Sequence, residues 1–216
     1  FAPTAWAYQP PSDAPEASRL RCAEGGPMTF GSFNNFAKVS DRTLALWGRV
    51  LEAVPNSRLL LKSYTTTDLA FHARLLRCGL DSKRVELLTP AASNAAHLRL
   101  YNEVDVALDT YPYHGTTTTC EALWMQRPVI TLAGNTHAGR VGVSLLQAVG
   151  LPELIAKTPD DYISLAAGLA QDGARLAELR ASVRDRMAGS ALCDGKAFAA
   201  KFESALRMMW REWCRA

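Results

Sequence analysis

The sequence predicts an α/β fold built on a doubly wound parallel sheet. From Met28 onward, short apolar segments alternate with amphipathic helical segments. The apolar segments lack strict period-two alternation, which is typical of strands covered on both faces. Strand–helix alternation of this kind favours a parallel sheet flanked by helices. The 216 residues are enough for one large domain or two small ones, and a hydrophobic fraction of 48% allows a sizeable core.

The N-terminal segment has a different composition. Residues 1–27 are rich in Pro, Ala and Ser, with Gln9-Pro-Pro11 and Gly25-Gly-Pro27. This predicts an extended linker or an arm lying on a neighbouring lobe, followed by a single lobe over residues 28–216. The chain begins at Phe1 without the basic-then-apolar layout of a secretory signal, so we expect a fragment or a processed chain.

The strands are short runs of apolar residues bounded by turn residues. Five are predicted, with a weaker sixth at the end: Met28–Phe33, Ser57–Lys62, Val85–Leu88, Val104–Leu108, Pro128–Leu132 and Ile155–Ala156.

The helices between the strands are predicted from apolar periodicity and end signals. Ser40 is a candidate cap for the first, and Gly79 and Gly150 are stop signals for the second and the fifth. The predicted ranges are Asp41–Val54, Thr67–Cys78, His97–Asn102, Thr119–Met125, Arg140–Val149, Asp160–Gln171, Gly173–Met187 and Lys196–Cys214.

Composition argues against several classes of function. The net charge of +3 is nearly balanced and the basic residues are scattered, so nucleic-acid binding is not expected. No run of about 18 apolar residues predicts a membrane span. The five cysteines are widely spaced without a C-x-x-C pair, which fits reduced thiols in a cytoplasmic protein. The histidines and carboxylates lack metal-ligand spacing, so no metal or other cofactor is expected.

The most informative segment runs from Val104 to Trp124. It consists of a predicted strand, then Gly115 and the four threonines Thr116 to Thr119, then a helix containing Glu121. The first N–H groups of a helix lack internal partners and carry partial positive charge, so this arrangement suits a phosphate. Glu121, expected in the first helical turn, can accept hydrogen bonds from a ribose diol. The segment therefore suggests a nucleotide site, although a threonine-rich N-cap with Glu121 at a capping position fits the same residues.

Other candidates fall in loops after predicted strands, where ligands bind in doubly wound sheets. Lys38 can place a charge on a diphosphate, or it can be a solvated surface lysine. Asn35 can orient a ligand or form an Asx turn. His97 can approach a base or act as a structural cap, and Ala92 can meet a base edge through its backbone. The chain has neither G-x-G-x-x-G after its first strand nor G-x-x-x-x-G-K-[ST], which argues against a dinucleotide fingerprint and a P-loop.

Several linked motifs resemble the C-terminal half of the catalytic region of O-GlcNAc transferases, especially bacterial relatives with N-terminal TPR repeats. The resemblance covers about Met28 to the C-terminus. The matching segments are Phe30–Val39, Trp47–Ser57, Thr89–His97, Asp105–Thr110, Gly115–Trp124, Ala138–Val141 and the run ending at Ala156.

The resemblance implies the UDP-binding, Rossmann-like C-terminal lobe of a GT-B glycosyltransferase. The implied reaction is an inverting, metal-independent transfer of GlcNAc from UDP-GlcNAc to Ser or Thr hydroxyls of a protein acceptor. A histidine-bearing N-terminal lobe and TPR repeats are the implied partners within the protein. On matching positions, Lys38 contacts the diphosphate beside Asn35, and Thr117 and Thr118 bind phosphate. His97 and Ala92 approach the uracil, and Glu121 holds the ribose.

The chain departs from the animal members of that family at four site positions. They have Gln at Asn35, Lys at Asn94, His at Thr116 and Asp at Glu121. Loss of the charge at Asn94 puts affinity or nucleotide preference in question. Two alternatives stay open: a GT-B relative with another donor such as GDP-fucose, since plant relatives share this architecture, and a catalytically inactive nucleotide-binding lobe that serves protein interaction.

Overall fold

The fold is known from a computed structural model, which describes residues 4–18, 25–62, 69–89 and 91–215. Six parallel strands form one sheet in the order β3-β2-β1-β4-β5-β6. Their bounds are β1 Met28–Ser32, β2 Ser57–Lys62, β3 Val85–Leu88, β4 Val106–Leu108, β5 Val129–Leu132 and β6 Ile155–Ala156. Every residue of β1, β4 and β5 is buried, as expected for strands covered on both faces. The predicted doubly wound parallel sheet is confirmed.

Eight α-helices connect and cover the strands in the described part of the chain. They are α1 Asp41–Ala53, α2 Leu69–Arg77, α3 Asn94–Leu100, α4 Thr117–Trp124, α5 Val141–Val149, α6 Pro159–Gln171, α7 Gly173–Ala188 and α8 Gly195–Trp213. The first two residues of the helix predicted from Thr67 lie outside the described residues.

Two predicted helix starts lie too late in the chain. Helix α3 begins at Asn94 rather than His97, because the Ser93 hydroxyl accepts a hydrogen bond from the Ala96 N–H at 3.1 Å and caps the helix there. Helix α4 begins at Thr117 rather than Thr119, and its first internal bond runs from the Cys120 N–H to the Thr116 carbonyl at 3.1 Å. Threonine has a low helix propensity, which tertiary packing overrides here.

A buried chain of hydrogen bonds ties the helices to the end of β4. Trp47 on α1 is fully buried and its indole N–H donates to the Tyr162 hydroxyl at 3.3 Å. Tyr162 on α6 in turn donates to the Asp109 carbonyl at 3.1 Å. This link fixes the backbone directly after β4.

The N-terminal arm, residues 4–18, lies along this lobe. Trp6, Tyr8 and Ala14 pack against its core, and the Tyr8 N–H donates to the Leu192 carbonyl at 2.8 Å. Arg127, whose side chain is fully buried, donates to the Ser18 hydroxyl at 2.9 Å. The described part of the arm is therefore attached to the lobe.

Helix α8 is amphipathic, as predicted, but its apolar face is not covered by the described residues. Phe202, Leu206, Trp210 and Trp213 are 46–74% exposed. No helix in the described ranges is long and apolar enough to span a membrane.

Candidate functional site

The candidate site lies at the carboxyl ends of β1 and β4, which are neighbours in the sheet although two strands separate them in sequence. The chain winds outward in opposite directions from this pair, which makes it the topological switch point. Ligands of doubly wound folds bind at this edge. The loops that follow β1 and β4 carry most of the predicted site residues.

Asp109, directly after β4, organises the loop that leads to α4. Its fully buried carboxylate accepts hydrogen bonds from the N–H groups of Gly115 at 2.7 Å and Thr110 at 2.9 Å, and from the Thr131 hydroxyl at 2.8 Å. Burial raises the pKa of this carboxyl, and the three donors oppose that rise. Because Asp109 takes the Gly115 N–H, that donor is already used within the protein.

His114 holds the same loop from the other side as a neutral ring. Its Nδ1 accepts from the Gly142 N–H at 3.0 Å, so the proton lies on Nε2, which donates to the Leu132 carbonyl at 2.9 Å. The 3.6 Å separation between His114 Nδ1 and the Asp109 carboxylate is therefore not an ion pair. The loop is rigidly braced before α4 begins.

Lys38 reaches this loop from the segment after β1. It ends a 3-10 turn, Phe36–Lys38, which Asn35 caps by accepting the Ala37 N–H at 3.0 Å. The Lys38 ammonium donates to the His114 carbonyl at 3.1 Å and lies 4.2 Å from the centre of the Tyr113 ring. Burial lowers the pKa of Lys38, and the charge of Asp109 opposes this. Lys38 is thus half-buried beside the start of α4 and not a fully solvated surface lysine.

The N-terminus of α4 is open. The side chain of the Ncap residue Thr116 makes no capping hydrogen bond, and the N–H groups of Thr117, Thr118 and Thr119 bond to no described residue. Glu121 is the fifth residue of the helix, so the prediction that it lies in the first turn is wrong. The alternative in which the threonines and Glu121 simply cap the helix is also wrong. The open N–H groups are suited to an anion.

Gly115 lets the loop approach α4 closely. A Cβ atom at Gly115 would lie 2.5 Å from the Thr118 hydroxyl oxygen and 2.7 Å from the Asn34 side-chain oxygen. These two atoms are themselves joined, because the Thr118 hydroxyl donates to Asn34 at 2.8 Å. Asn34 is buried two residues after the end of β1, so this bond joins the segments that follow β1 and β4. Thr117 is exposed.

His97 and Glu121 form a second cluster at the same edge of the sheet. His97 Nε2 lies 2.9 Å from Glu121 Oε2, and both side chains are 12% exposed. The Lys62 ammonium, at the end of β2, lies 2.8 Å from His97 Nδ1. The Tyr101 hydroxyl lies 3.2 Å from the same Glu121 oxygen. Four polar side chains therefore connect β2, α3 and α4.

Sequence reasoning missed Lys62 and Tyr101. Lys62 is the last residue of β2. The other candidates were found because they follow the ends of strands, and the same criterion would have identified Lys62. Tyr101 carried no comparable signal, because an aromatic residue after a helix is usually part of the core.

Two of the predicted site residues, Asn35 and Ala92, contact the rest of the candidate site less closely. Asn35 is exposed and its side chain is engaged in the 3-10 cap, as in the Asx turn considered above. Ala92 is exposed in the loop before α3 and makes no side-chain contact that defines a role. Within the described ranges, no three His, Cys, Asp or Glu side chains are grouped so that they could hold a metal ion.

Curated relatives match almost the whole chain. The chain is 46% identical over 212 residues to the probable UDP-N-acetylglucosamine–peptide N-acetylglucosaminyltransferase SPINDLY of Arabidopsis thaliana, covering 96% of this chain and 23% of that protein. It is 34% identical to the UDP-N-acetylglucosamine–peptide N-acetylglucosaminyltransferase of Caenorhabditis elegans, covering 95% of this chain and 17% of that one. The chain thus spans about a quarter or less of these relatives.

Solved structures agree with the sequence matches. A mutant of the Thermobaculum terrenum O-GlcNAc transferase superposes with a TM-score of 0.86 at 40% identity, covering 96% of this chain and 40% of that one. The lipopolysaccharide glycosyltransferase WaaG superposes with a TM-score of 0.59 at 14% identity, covering 92% of this chain and 55% of that one. The second match shows shared fold alone, and together they confirm a Rossmann-like lobe of the GT-B type.

The resemblance inferred from the motifs is confirmed at the level of the family. The pattern of Glycosyl transferase family 41 matches residues 19–202, which include every candidate site residue. The chain therefore belongs to glycosyl transferase family 41.

Proposed function

We propose that this chain is the UDP-binding lobe of an enzyme that transfers GlcNAc from UDP-GlcNAc to Ser or Thr hydroxyls of proteins. The names of the plant, nematode and bacterial relatives support this donor and a peptide acceptor. The observation that carries the proposal is local. Lys38, the open N-terminus of α4 and the carboxylate of Glu121 meet at the switch-point edge of the sheet.

The diphosphate would occupy the space beside Lys38 and the first N–H groups of α4. Thr117 is exposed and its hydroxyl would donate to a phosphate oxygen, and the Thr118 hydroxyl would turn from Asn34 toward the same group. Glu121 would accept the ribose hydroxyls, and His97 and the backbone at Ala92 would lie near the base. Asn35 would support Lys38 through the 3-10 turn that it caps.

In the proposed reaction, the bond between the sugar C1 and the β-phosphate oxygen breaks and its electron pair stays on UDP. The acceptor hydroxyl oxygen bonds C1 from the opposite face, which inverts the configuration, and its proton passes to a base that we place outside this lobe. Lys38 and the α4 N–H groups would stabilise the charge that develops on UDP, so the proposal requires no metal. Preorganised donors of this kind typically contribute several kcal/mol to transition-state stabilisation.

The remaining partners belong to the whole protein. Because the chain spans only 23% of the Arabidopsis relative, we propose that a second Rossmann-like lobe completes the active site and that TPR repeats present the acceptor. We place the enzyme in the cytoplasm. The unpaired state of the four described cysteines, Cys78, Cys120, Cys193 and Cys214, is compatible with that compartment.

The test is nucleotide binding by the intact protein. We expect Lys38→Ala to raise the Kd for UDP by about 10- to 100-fold, because a hydrogen bond to a charged group is worth about 1.5–3 kcal/mol. Lys83→Ala is the matched control: Lys83 is exposed in the 3-10 turn Ser82–Arg84, and its substitution should leave the Kd unchanged. Isothermal titration calorimetry measures both.

The outcomes separate the competing functions. Unchanged UDP affinity in Lys38→Ala would show that the diphosphate lies elsewhere. Tighter binding of GDP than UDP, with transfer from GDP-fucose, would identify the other donor. Tight UDP binding without transfer or hydrolysis of any sugar nucleotide would identify an inactive binding lobe.

A further inference from the structure

We propose that Lys62 is a positioning residue that, acting through His97, orients the Glu121 carboxylate toward the ribose of the bound nucleotide. The inference rests on the proposed function, because it assumes that a ribose meets Glu121. It adds a residue on β2 to a site otherwise built from the loops after β1, β3 and β4.

The first step is the direction of the hydrogen bond between Lys62 and His97. The Lys62 ammonium lies 2.8 Å from His97 Nδ1. An ammonium group has three donors and no acceptor, so Nδ1 must be the acceptor and carries no proton. Lys62 is half-buried; burial lowers its pKa, and the charge of Glu121 opposes this and favours the ammonium form.

The second step follows from the neutral imidazole. With Nδ1 unprotonated, the ring proton lies on Nε2, which is 2.9 Å from Glu121 Oε2. His97 therefore donates to the carboxylate. Lys62, His97 and Glu121 thus form a hydrogen-bonded chain of a cation, a neutral ring and an anion, in which each member has a fixed role as donor or acceptor.

The third step concerns which carboxylate oxygen is held. The Tyr101 hydroxyl lies 3.2 Å from Oε2 as well, and shares its proton with the Thr118 carbonyl at 3.1 Å. Burial and the nearby Glu121 raise the pKa of Tyr101, which keeps this hydroxyl protonated as a donor. Both side-chain donors thus meet Oε2, while Oε1 accepts no hydrogen bond from any described residue.

This asymmetry distinguishes an orienting network from a plain ion pair. The Lys62 ammonium meets Nδ1 of His97, the ring nitrogen on the far side from the carboxylate that the ring holds. No buried side-chain oxygen among the described residues lacks a hydrogen-bond partner, so Oε1 of this 12% exposed side chain reaches solvent and can accept a hydrogen bond from a donor on a ligand. A ribose hydroxyl is such a donor.

Removal of the lysine donor has a specific consequence. Without Lys62, His97 Nδ1 loses its donor and the ring is no longer held at both of its nitrogens. The ring can then turn about its side-chain bonds, and the carboxylate loses its fixed orientation. The effect should fall on recognition of the ribose hydroxyls, with the diphosphate contacts at Lys38 and α4 left in place.

The experiment compares UDP with 2′,3′-dideoxy-UDP on the intact protein by calorimetric titration. For wild type, we expect the dideoxy nucleotide to bind about 10- to 100-fold more weakly, as is typical when hydrogen bonds to a carboxylate are lost. In Lys62→Met the ratio of the Kd for 2′,3′-dideoxy-UDP to the Kd for UDP should shrink to less than about threefold. Lys62→Arg, whose guanidinium is also a donor without acceptors, should keep most of the ratio. Lys83→Met is the control, and its ratio should equal that of wild type.

Two results would overturn the assignment of Lys62. One is a Lys62→Met variant that binds both nucleotides more weakly by the same factor, since that is the signature of a merely structural residue. The other is a ratio equal to that of wild type. A different failure belongs to the proposed function: if wild type itself does not distinguish the two nucleotides, Glu121 does not hold the ribose, and the role of Lys62 falls with it.

A second measurement covers the case in which Lys62→Met is poorly folded. The 15N chemical shifts of the imidazole in wild-type protein report which nitrogen carries the proton, with the His97 signals assigned from their loss in His97→Gln. We expect the Nε2-protonated form. An Nδ1-protonated or doubly protonated ring at neutral pH would contradict the proposal.

Discussion

At the scale of single residues, the candidate site holds two lysines whose surroundings disfavour their charge. Burial lowers the pKa of Lys38 and of Lys62, and the carboxylates of Asp109 and Glu121 only partly oppose it. A bound diphosphate would reverse this at Lys38, because a dianion favours the ammonium form. Under the proposed function, the charge of Lys38 is therefore linked to nucleotide binding.

This linkage predicts that UDP affinity falls at alkaline pH. The Lys38 pKa is below its ordinary value in the free protein and rises when phosphate binds, so binding takes up a proton above the free pKa. Affinity should therefore decrease as pH rises through that pKa, starting below the range of an ordinary lysine. Calorimetric titrations between about pH 8 and 10 measure this, since the UDP phosphates are already ionised there.

The control for this prediction is Lys38→Arg, because arginine stays charged over the whole range. Its affinity should fall less steeply with pH, and the remaining slope reports groups other than Lys38, including the uracil ring of UDP, which also loses a proton in this range. Equal slopes for wild type and Lys38→Arg would show that Lys38 does not bind the phosphate in its charged form.

At the scale of secondary-structure elements, the start of α4 decides the chemistry of the site. The sequence predicted a start at Thr119, which agrees with the low helix propensity of β-branched residues. In the structure the helix starts two residues earlier, and this leaves open N–H groups where the sequence analysis expected a phosphate. Gly115 makes the early start possible, because no side chain stands between the loop, Asn34 and Thr118.

Gly115→Ala should therefore disturb this element. The added Cβ would lie 2.5 to 2.9 Å from the side-chain oxygens of Thr118, Asn34 and Thr119, so the loop or the first turn of α4 must shift. We expect a loss of about 1–3 kcal/mol in the free energy of unfolding, typical of overpacking, together with weaker UDP binding. Denaturant unfolding and calorimetry measure the two effects.

Gly168→Ala is the matched control, because Gly168 lies inside α6 and a Cβ there meets nothing within 4 Å. It should stabilise the protein by about 0.5–1 kcal/mol, as alanine does in a helix, without changing UDP affinity. If Gly115→Ala behaved like Gly168→Ala, the close approach at Gly115 would not matter for the site.

At the scale of the whole molecule, the N-terminal arm and the sheet are joined through Arg127. This fully buried side chain donates to the Tyr101 carbonyl at 2.7 Å, the Asn102 side-chain oxygen at 2.8 Å and the Ser18 hydroxyl at 2.9 Å. Ser18 belongs to the arm, and Tyr101 contacts Glu121 in the site. The arm is thereby connected to the residues around the proposed ribose position.

Arg127→Met should destabilise the fold by about 2–5 kcal/mol, because it leaves the buried oxygens of Tyr101 and Asn102 without this donor. Arg49→Met is the comparison: Arg49 pairs with Asp160 at 2.6 Å, but the two side chains are 52% and 80% exposed. Its loss should cost less than about 1 kcal/mol. Chemical denaturation measures the free energy of unfolding of both variants. Equal losses in Arg127→Met and Arg49→Met would contradict a structural role for Arg127.

The sequence by itself determined the local features of this protein. Apolar periodicity predicted all six strands and the existence of the helices, and residue chemistry marked Lys38, His97 and Glu121, because these signals depend on neighbours within a few positions. The tertiary structure alone decided that β1 lies beside β4 and that α4 begins at Thr117. It also decided that Lys62, His97 and Glu121 are joined by hydrogen bonds. Those features arise from contacts between residues that are far apart along the chain, whose geometry exists only after the sheet has brought the strand ends together.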